Sequence, residues 1–301
     1  LNFGHSAEML AKEGSEMSVN SLLTKKLADM TRTLDPTRPV TAGCNEPNPY
    51  NHLFASGALD IIGFNYHDDW FMGVPKNFPG KPFIVTESVS SLMTRGYYKM
   101  PSDKPILCPE RWDKPYYDPS FSCSSYDHCR APWGSHHENT LRLVSENDFI
   151  SGQYIWTGFD YIGEPTPYGW PARSSYFGIV DLAGLPKDRY YLYRSHWNKN
   201  EETLHILPHW NWEGREGEVT PVFVYTNYPS AELFINGKSQ GKRTKDLSVT
   251  VENSADSTSM ANFKRQQRYR LMWMDTKYEP GTVKVVAYND KGEAVAEKEI
   301  H

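Results

Sequence analysis

The strongest constraint on the fold is a set of short, almost unbroken apolar runs, each closed by a polar or aromatic residue. Leu59-Asp-Ile-Ile-Gly-Phe-Asn-Tyr66, Lys81-Pro-Phe-Ile-Val-Thr-Glu87 and Ile150-Ser-Gly-Gln-Tyr-Ile-Trp156 read as buried strands, with Pro39-Val-Thr-Ala-Gly43 as a shorter one before them. Helix-like sequence separates them. Residues 18–34 carry Leu22, Leu23, Leu27, Met30 and Leu34 at helical spacing until Asp35-Pro36 ends the run, and His136 to Asn147 reads the same way. A short helix is also expected before Leu59. Near-continuously apolar strands alternating with helices indicate a parallel sheet with both faces covered. Each strand delivers polar or aromatic groups at its C-terminal end: Asn45, then Asn65-Tyr66-His67, then Glu87, then Trp156. In a (β/α) barrel that end carries the active site. A long stretch over roughly 96–134 reads as an irregular insertion.

After about residue 198 the pattern changes. Val222-Phe-Val-Tyr-Thr226, Ala231-Glu-Leu-Phe-Ile235, Tyr269–Met274 and Thr282–Tyr288 are short strands, and Asn236-Gly237 and Asn289-Asp-Lys-Gly292 are turn signals. Such a series predicts a small antiparallel β-sandwich. The polar stretch 253–266 is expected to be a loop. The fold class is therefore α/β followed by all-β, with domains at 1–198 and 199–301.

A net charge of −5 offers no basic stripe to neutralise phosphates, which argues against a nucleic-acid partner. No apolar run reaches the roughly 18 residues needed to span a bilayer. No signal peptide is visible, and the chain opens at Leu1 on a polar, helix-like stretch, as if cut from something longer. Aromatics make up 14% of the chain, which suits both a sugar-binding cleft and an ordinary core. The cysteines, Cys44, Cys108, Cys123 and Cys129, match no zinc pattern, and no metal or organic cofactor is expected. Free thiols and one structural disulfide are both open, the latter between Cys123 and Cys129 around a five-residue turn.

Glu87 is the central candidate. It closes the apolar run Phe83-Ile-Val-Thr86, where a charge must face a cleft or a partner. On this segment alone two readings stand: a structural carboxylate paired with a buried arginine, or a nucleophile able to form a covalent glycosyl-enzyme.

Four motifs in order decide between them. Asp35-Pro-Thr-Arg-Pro-Val-Thr41, Ile62-Gly-Phe-Asn-Tyr66, Pro82-Phe-Ile-Val-Thr-Glu87 and Gly152-Gln-Tyr-Ile-Trp-Thr-Gly-Phe-Asp-Tyr161, followed by the Glu164–Tyr168 loop, resemble the second half of a glycoside hydrolase family 2 barrel. The resemblance is to Bacteroides-type β-galactosidases and covers nearly the whole chain. It implies the second half of a (β/α)8 TIM barrel followed by an immunoglobulin-like β-sandwich. It also implies retaining hydrolysis of terminal β-galactosides in a glycan or oligosaccharide, and a periplasmic or secreted location. Residue by residue, it places the nucleophile on Glu87 and the tyrosine that orients it on Tyr66. Trp156 becomes a wall of the sugar subsite. Asn45, His67, Asp160 and Glu164 lie near the same rim, as do Trp170 and Arg173, either binding sugar hydroxyls or fixing loops.

One element of the family pattern is missing. A retaining enzyme needs a second carboxyl group as acid/base, which in this family belongs to an Asn-Glu pair closing strand four. No such pair precedes Asp35, and Asn45-Glu46 comes after the fifth strand. Glu8, Glu13 and Glu16 sit in a polar stretch rather than at a strand end. The acid/base and strands one to four are therefore expected upstream of Leu1, and the strands present here should be covered by that half or by another copy of the chain. Without that cover, Ile62, Phe64, Ile84 and Ile155 are expected to be exposed as inward layers. A β-glucuronidase or β-mannosidase of the same family is the alternative enzyme. No Arg/Lys cluster stands beside Glu87 except Arg95, which favours a neutral sugar. A non-catalytic carbohydrate-binding module is the alternative of a different class.

Overall fold

The computed structural model describes residues 17–251 and 256–301. Residues 17–90 with 133–156 form one compact unit, and 91–132 with the described residues from 157 onward form another. The polar stretch containing Glu8, Glu13 and Glu16 lies outside the described residues.

The first unit opens on α1 (Val19–Leu34). The Ser18 side chain caps it by accepting from the Ser21 amide, and it stops at Asp35, before Pro36. Ser21 reaches the His52 carbonyl at the start of α2 (His52–Ala55) at 3.0 Å. Arg32 bridges to Asp60 at 3.0 Å, and Asp60 in turn accepts from the Val40 amide at 2.8 Å. The helix thus buries Ser21 and Ala28, while Leu22, Leu23, Leu27, Met30 and Leu34 remain 52–85% exposed. Its apolar stripe has no cover among the described residues.

The remaining elements build one parallel sheet. Its strands are β1 (Gly43–Cys44), β2 (Ile62–Asn65), β3 (Phe83–Val89) and β6 (Ile150–Trp156), in that spatial order. Between them lie a 3-10 turn at Asp68–Gly73, α3 (Val74–Asn77) and α4 (His137–Glu146). Ile62, Phe64, Phe83 and Val85 bury against Phe71, Val74, Phe78 and Leu143. The Phe64 and Phe83 rings meet edge to face at 4.9 Å. This corrects the expectation that Ile62 and Phe64 would be exposed: they fill the helix side of the sheet. Its other face carries small and polar groups. A Cβ on Gly63 would lie 2.5 Å from the Ala42 carbonyl and 2.9 Å from Thr86, so only glycine fits. Ile84 and Ile155 are partly exposed.

In the second unit the insertion holds two short parallel segments, β4 (Ile106–Leu107) and β5 (Cys129–Arg130), and is otherwise irregular. After α5 (Asp188–Trp197) come β7 (Leu204–Leu207), β8 (Val222–Thr226), β9 (Ser230–Ile235) and β10 (Lys238–Thr244). Then follow α6 (Ser259–Gln267), β11 (Leu271–Trp273), β12 (Val283–Tyr288) and β13 (Ala294–Ile300). They pair antiparallel as two sheets, β11-β8-β7 and β10-β9-β12-β13. Val222, Val224, Leu233, Trp273, Val283 and Val285 share the core cluster of these sheets. Asn236 and Gly237 both take positive φ, 48° and 78°, as a tight hairpin turn requires. α6 corrects the loop expected over 253–266: Thr258 caps a helix whose buried face is largely polar, Asn262, Arg265 and Gln266 beside Ala261. The Cys123–Cys129 disulfide is also corrected. All four cysteines are free and buried, and the Cys129 thiol hydrogen bonds with Cys108 instead. No helix among the described residues is long and apolar enough to cross a membrane.

Candidate active site

The carboxyl ends of β2 and β3 are where the backbone leaves regular geometry. The two strands slip register between Phe64 and Asn65, so that Asn65 stands opposite Glu87. The Tyr66 amide then donates to the Glu87 carbonyl at 2.7 Å. Tyr66 and His67 both have φ 58°, and Val89 and Ser90 have φ 76° and 50°. Four non-glycine residues in the left-handed region, one of them β-branched, each cost about 1–3 kcal/mol and need a framework to hold them. Part of that framework is visible: Ser88 donates to the Tyr154 carbonyl at 2.9 Å, and the Ser135 amide donates to the Val89 carbonyl at 2.9 Å.

These bends bring side chains together. The Tyr66 hydroxyl hydrogen bonds to the Glu87 carboxylate. It also accepts from Ser90 Oγ at 2.8 Å, and Ser90 Oγ accepts from the Trp133 indole Nε1 at 3.2 Å. Burial, more than the adjacent Glu87 charge, pushes the Tyr66 phenol well above its ordinary range, so it keeps its proton and acts as a donor. Asn65 is buried and accepts from Thr86 at 2.7 Å. Next to it, His67 Nε2 lies 2.8 Å from the Asn45 carbonyl, which ties the ends of β1 and β2 together. Trp156, half-buried at the end of β6, stands opposite Val89 in register. Glu87, Tyr66, Asn45, His67 and Trp156 therefore all belong to the first unit, at the carboxyl edge of one sheet.

The other candidates belong to the second unit. Asp160 is enclosed: it pairs with Lys187 at 2.7 Å, accepts from the Gly178 amide at 2.8 Å and from Ser175 at 3.4 Å. Burial raises its carboxyl and lowers the Lys187 ammonium, the direction expected when desolvation outweighs pairing. These bonds support the loop-fixing reading of Asp160. Glu164, at φ 41°, accepts from the Tyr161 hydroxyl. The Arg173 guanidinium lies 4.6 Å over the ring of Trp170, which is 77% exposed. Arg95 pairs with Asp181 at 2.6 Å. Among the described residues, no group of three or more His, Cys, Asp or Glu side chains is placed to hold a metal ion.

Comparison with known proteins gives the family. The chain is 61% identical over 300 residues to β-galactosidase BoGH2A of Bacteroides ovatus, a match covering 100% of this chain and 32% of that protein. The chain belongs to glycoside hydrolase family 2. A putative β-glucuronidase of Formosa agariphila is 31% identical over 277 residues, covering 85% of the family 2 chain and 24% of that protein. Among solved structures, a β-glycosidase from Bacteroides vulgatus superposes with a TM-score of 0.71 at 27% identity, over 96% of this chain and 35% of that one. Residues 217–296 match a family described as a domain of unknown function (DUF4982). The family 2 chain thus spans about a third or less of the length of these curated relatives.

Ser90 and Trp133 went unrecognised in the sequence. Ser90 lies in an ordinary Ser88-Val-Ser-Ser91 run, and Trp133 lies 46 residues from Glu87 at the end of the irregular insertion. Only the left-handed bend at 89–90 brings them to Tyr66.

Proposed function

We propose that the chain carries the nucleophile side of a retaining β-glycosidase acting on terminal β-D-galactosides of glycans. The observation that carries this is Glu87 at the carboxyl end of β3, receiving a hydrogen bond from a buried Tyr66 hydroxyl. Its support in sequence is the 61% identity to a protein named as a β-galactosidase. In this reading a Glu87 oxygen attacks the anomeric carbon as the aglycone oxygen leaves, giving a glycosyl ester. Water then attacks the same carbon and frees the sugar and the carboxylate. Tyr66 holds one carboxylate oxygen so that the other faces the sugar, and Trp156 forms an apolar wall for the ring. The acid/base, about 5–5.5 Å from Glu87 in a retaining enzyme, comes from polypeptide beyond these 301 residues. That polypeptide also supplies the barrel strands flanking β1 and β6, the outer strands of the sheet, and covers the apolar stripe of α1.

The test uses the full-length protein carrying this chain. A 2-fluoro-galactoside should label the peptide containing Glu87, and Glu87→Gln should remove nearly all turnover without unfolding the protein, because an amide cannot form the ester. A label on another carboxylate, or an active Gln variant, overturns the assignment. The relative named as a putative β-glucuronidase favours a second reading, in which the sugar carries a carboxylate. Comparing kcat/KM for aryl β-galactoside and aryl β-glucuronide decides between them.

A further inference from the structure

We propose that Ser90 is a positioning residue for the nucleophile: held by the Trp133 indole, it donates to Tyr66 and so commits the tyrosine's only proton to Glu87. The inference rests on the reading of Glu87 as nucleophile.

The argument is one of hydrogen-bond direction. An indole N–H can only donate and an ionised carboxylate can only accept, while a serine and a tyrosine hydroxyl each carry a single proton. The Trp133 indole also reaches the Tyr66 hydroxyl directly, and there too it can only donate. With that contact included, one arrangement of Trp133, Ser90, Tyr66 and Glu87 makes every link. The indole donates to Ser90 Oγ at 3.2 Å, Ser90 donates to the Tyr66 oxygen at 2.8 Å, and Tyr66 donates to Glu87. If the tyrosine turned its proton to Ser90, the carboxylate would lose that donor and the serine proton would need another acceptor.

Three features hold the order in place. Ser90 is fully buried, so bulk water does not compete for its hydroxyl. The left-handed pair Val89 and Ser90 aims Oγ at Tyr66, and the Ser135 amide fixes the bend through the Val89 carbonyl at 2.9 Å. Trp133 and Ser135 lie just ahead of α4, so the same short stretch supplies both the indole donor and the backbone clamp. Of the groups acting on the Tyr66 hydroxyl, Ser90, Trp133 and Glu87, only Glu87 is charged. A hydrogen bond donated to the charged form of a carboxylate favours that form. Without Ser90, the tyrosine oxygen loses a donor, its proton is less polarised, and the carboxylate holds its charge less well.

The test is a double-mutant cycle in the full-length protein: Ser90→Ala, Tyr66→Phe and the two combined, assayed on 4-nitrophenyl β-D-galactoside across pH. Ser90→Ala should lower kcat/KM about tenfold, the scale of one buried hydrogen bond, through kcat rather than KM. It should also move the acid limb of the profile to higher pH. In the Tyr66→Phe background the same change should alter kcat/KM by no more than about twofold, because the relay is already cut. Equal losses in both backgrounds, or an unmoved acid limb, would make Ser90 a structural prop and overturn the proposal. If Ser90→Ala does not fold, Ser90→Gly relieves the left-handed backbone while removing the hydroxyl, and Trp133→Phe removes the indole donor from both Ser90 and Tyr66. Both should move the acid limb the same way, and a profile matching wild type in either overturns the relay. Trapping with a 2-fluoro-galactoside separates the two claims. A label on Glu87 with additive losses sinks only the relay, whereas a label elsewhere sinks both.

Discussion

Replacing Asp160 with Asn separates a sugar ligand from a loop anchor. In the structure the carboxylate meets the Lys187 ammonium at 2.7 Å and the Gly178 amide at 2.8 Å, and both partners of the ion pair are nearly enclosed. Lys187 also donates to the Met93 carbonyl at 2.7 Å, so the ammonium stays in place when Asp160 loses its charge. Removing one member of a buried pair costs about 3–5 kcal/mol, mostly from the charge left behind. Asn keeps an acceptor for the Gly178 amide, so the lower end, about 3 kcal/mol, is expected. For a unit of this size that is a fall of about 6–12 °C in Tm. The assay is thermal unfolding by circular dichroism, run beside inhibition of the full-length protein by galactose. The expected result is a large fall in Tm with inhibition by galactose nearly unchanged in the folded protein. A Tm within about 2 °C of wild type together with inhibition weakened tenfold or more would refute the argument. Asp160 would then be a sugar ligand.

Three further outcomes are expected. Trp156→Ala should weaken inhibition by galactose about 5- to 150-fold, corresponding to about 1–3 kcal/mol for an aromatic platform; unchanged inhibition returns Trp156 to the core. Burial brings the Lys245 ammonium down to about 8 from its ordinary 10.5, with its Nζ on the Thr226 carbonyl. In that window the unfolded chain binds more protons, so stability should rise from pH 8 to 10.5 and be lost as pH falls through it. Lys245→Met should flatten that part of a urea-denaturation series, and an unchanged slope would disprove the assignment. Finally, thiol titration under denaturing, non-reducing conditions should count four free cysteines; two would restore a disulfide.

How much of this was legible in the sequence depended on whether local pattern or tertiary context decided the outcome. β6 and β8 fall on Ile150–Trp156 and Val222–Thr226 as read from their apolar runs, and the Asn236-Gly237 turn follows from its backbone demands. Glu87 and Tyr66 stand out as candidates in the sequence because strand ends and family motifs are local signals. By contrast, β1 shrinks to Gly43–Cys44 because, among the described residues, it has one neighbour, β2, at the margin of the sheet. The side each residue faces was misread for Ile62 and Phe64. Runs apolar on both faces carry no alternation, and only packing against Phe71 and Leu143 reveals the helix side. α6 was missed because its buried face is polar, which leaves no hydrophobic period to detect. The hydrogen bonds through Ser90 were invisible because positive φ at Val89 and Ser90 follows no residue preference.

The two outer strands of the parallel sheet also bear on how such a polypeptide is made. A sheet ending in β1 on one side and β6 on the other presents main-chain donors and acceptors that a stray chain can pair with as readily as a proper one. During synthesis, or after a proteolytic nick nearby, the interval before those margins are occupied is when aggregation competes with assembly. Yield of soluble material should therefore follow how quickly those margins are covered, more than the stability of the β-sandwich that follows. Charged substitutions at the exposed Leu23 and Leu27 of α1 would improve solubility of these 301 residues expressed alone.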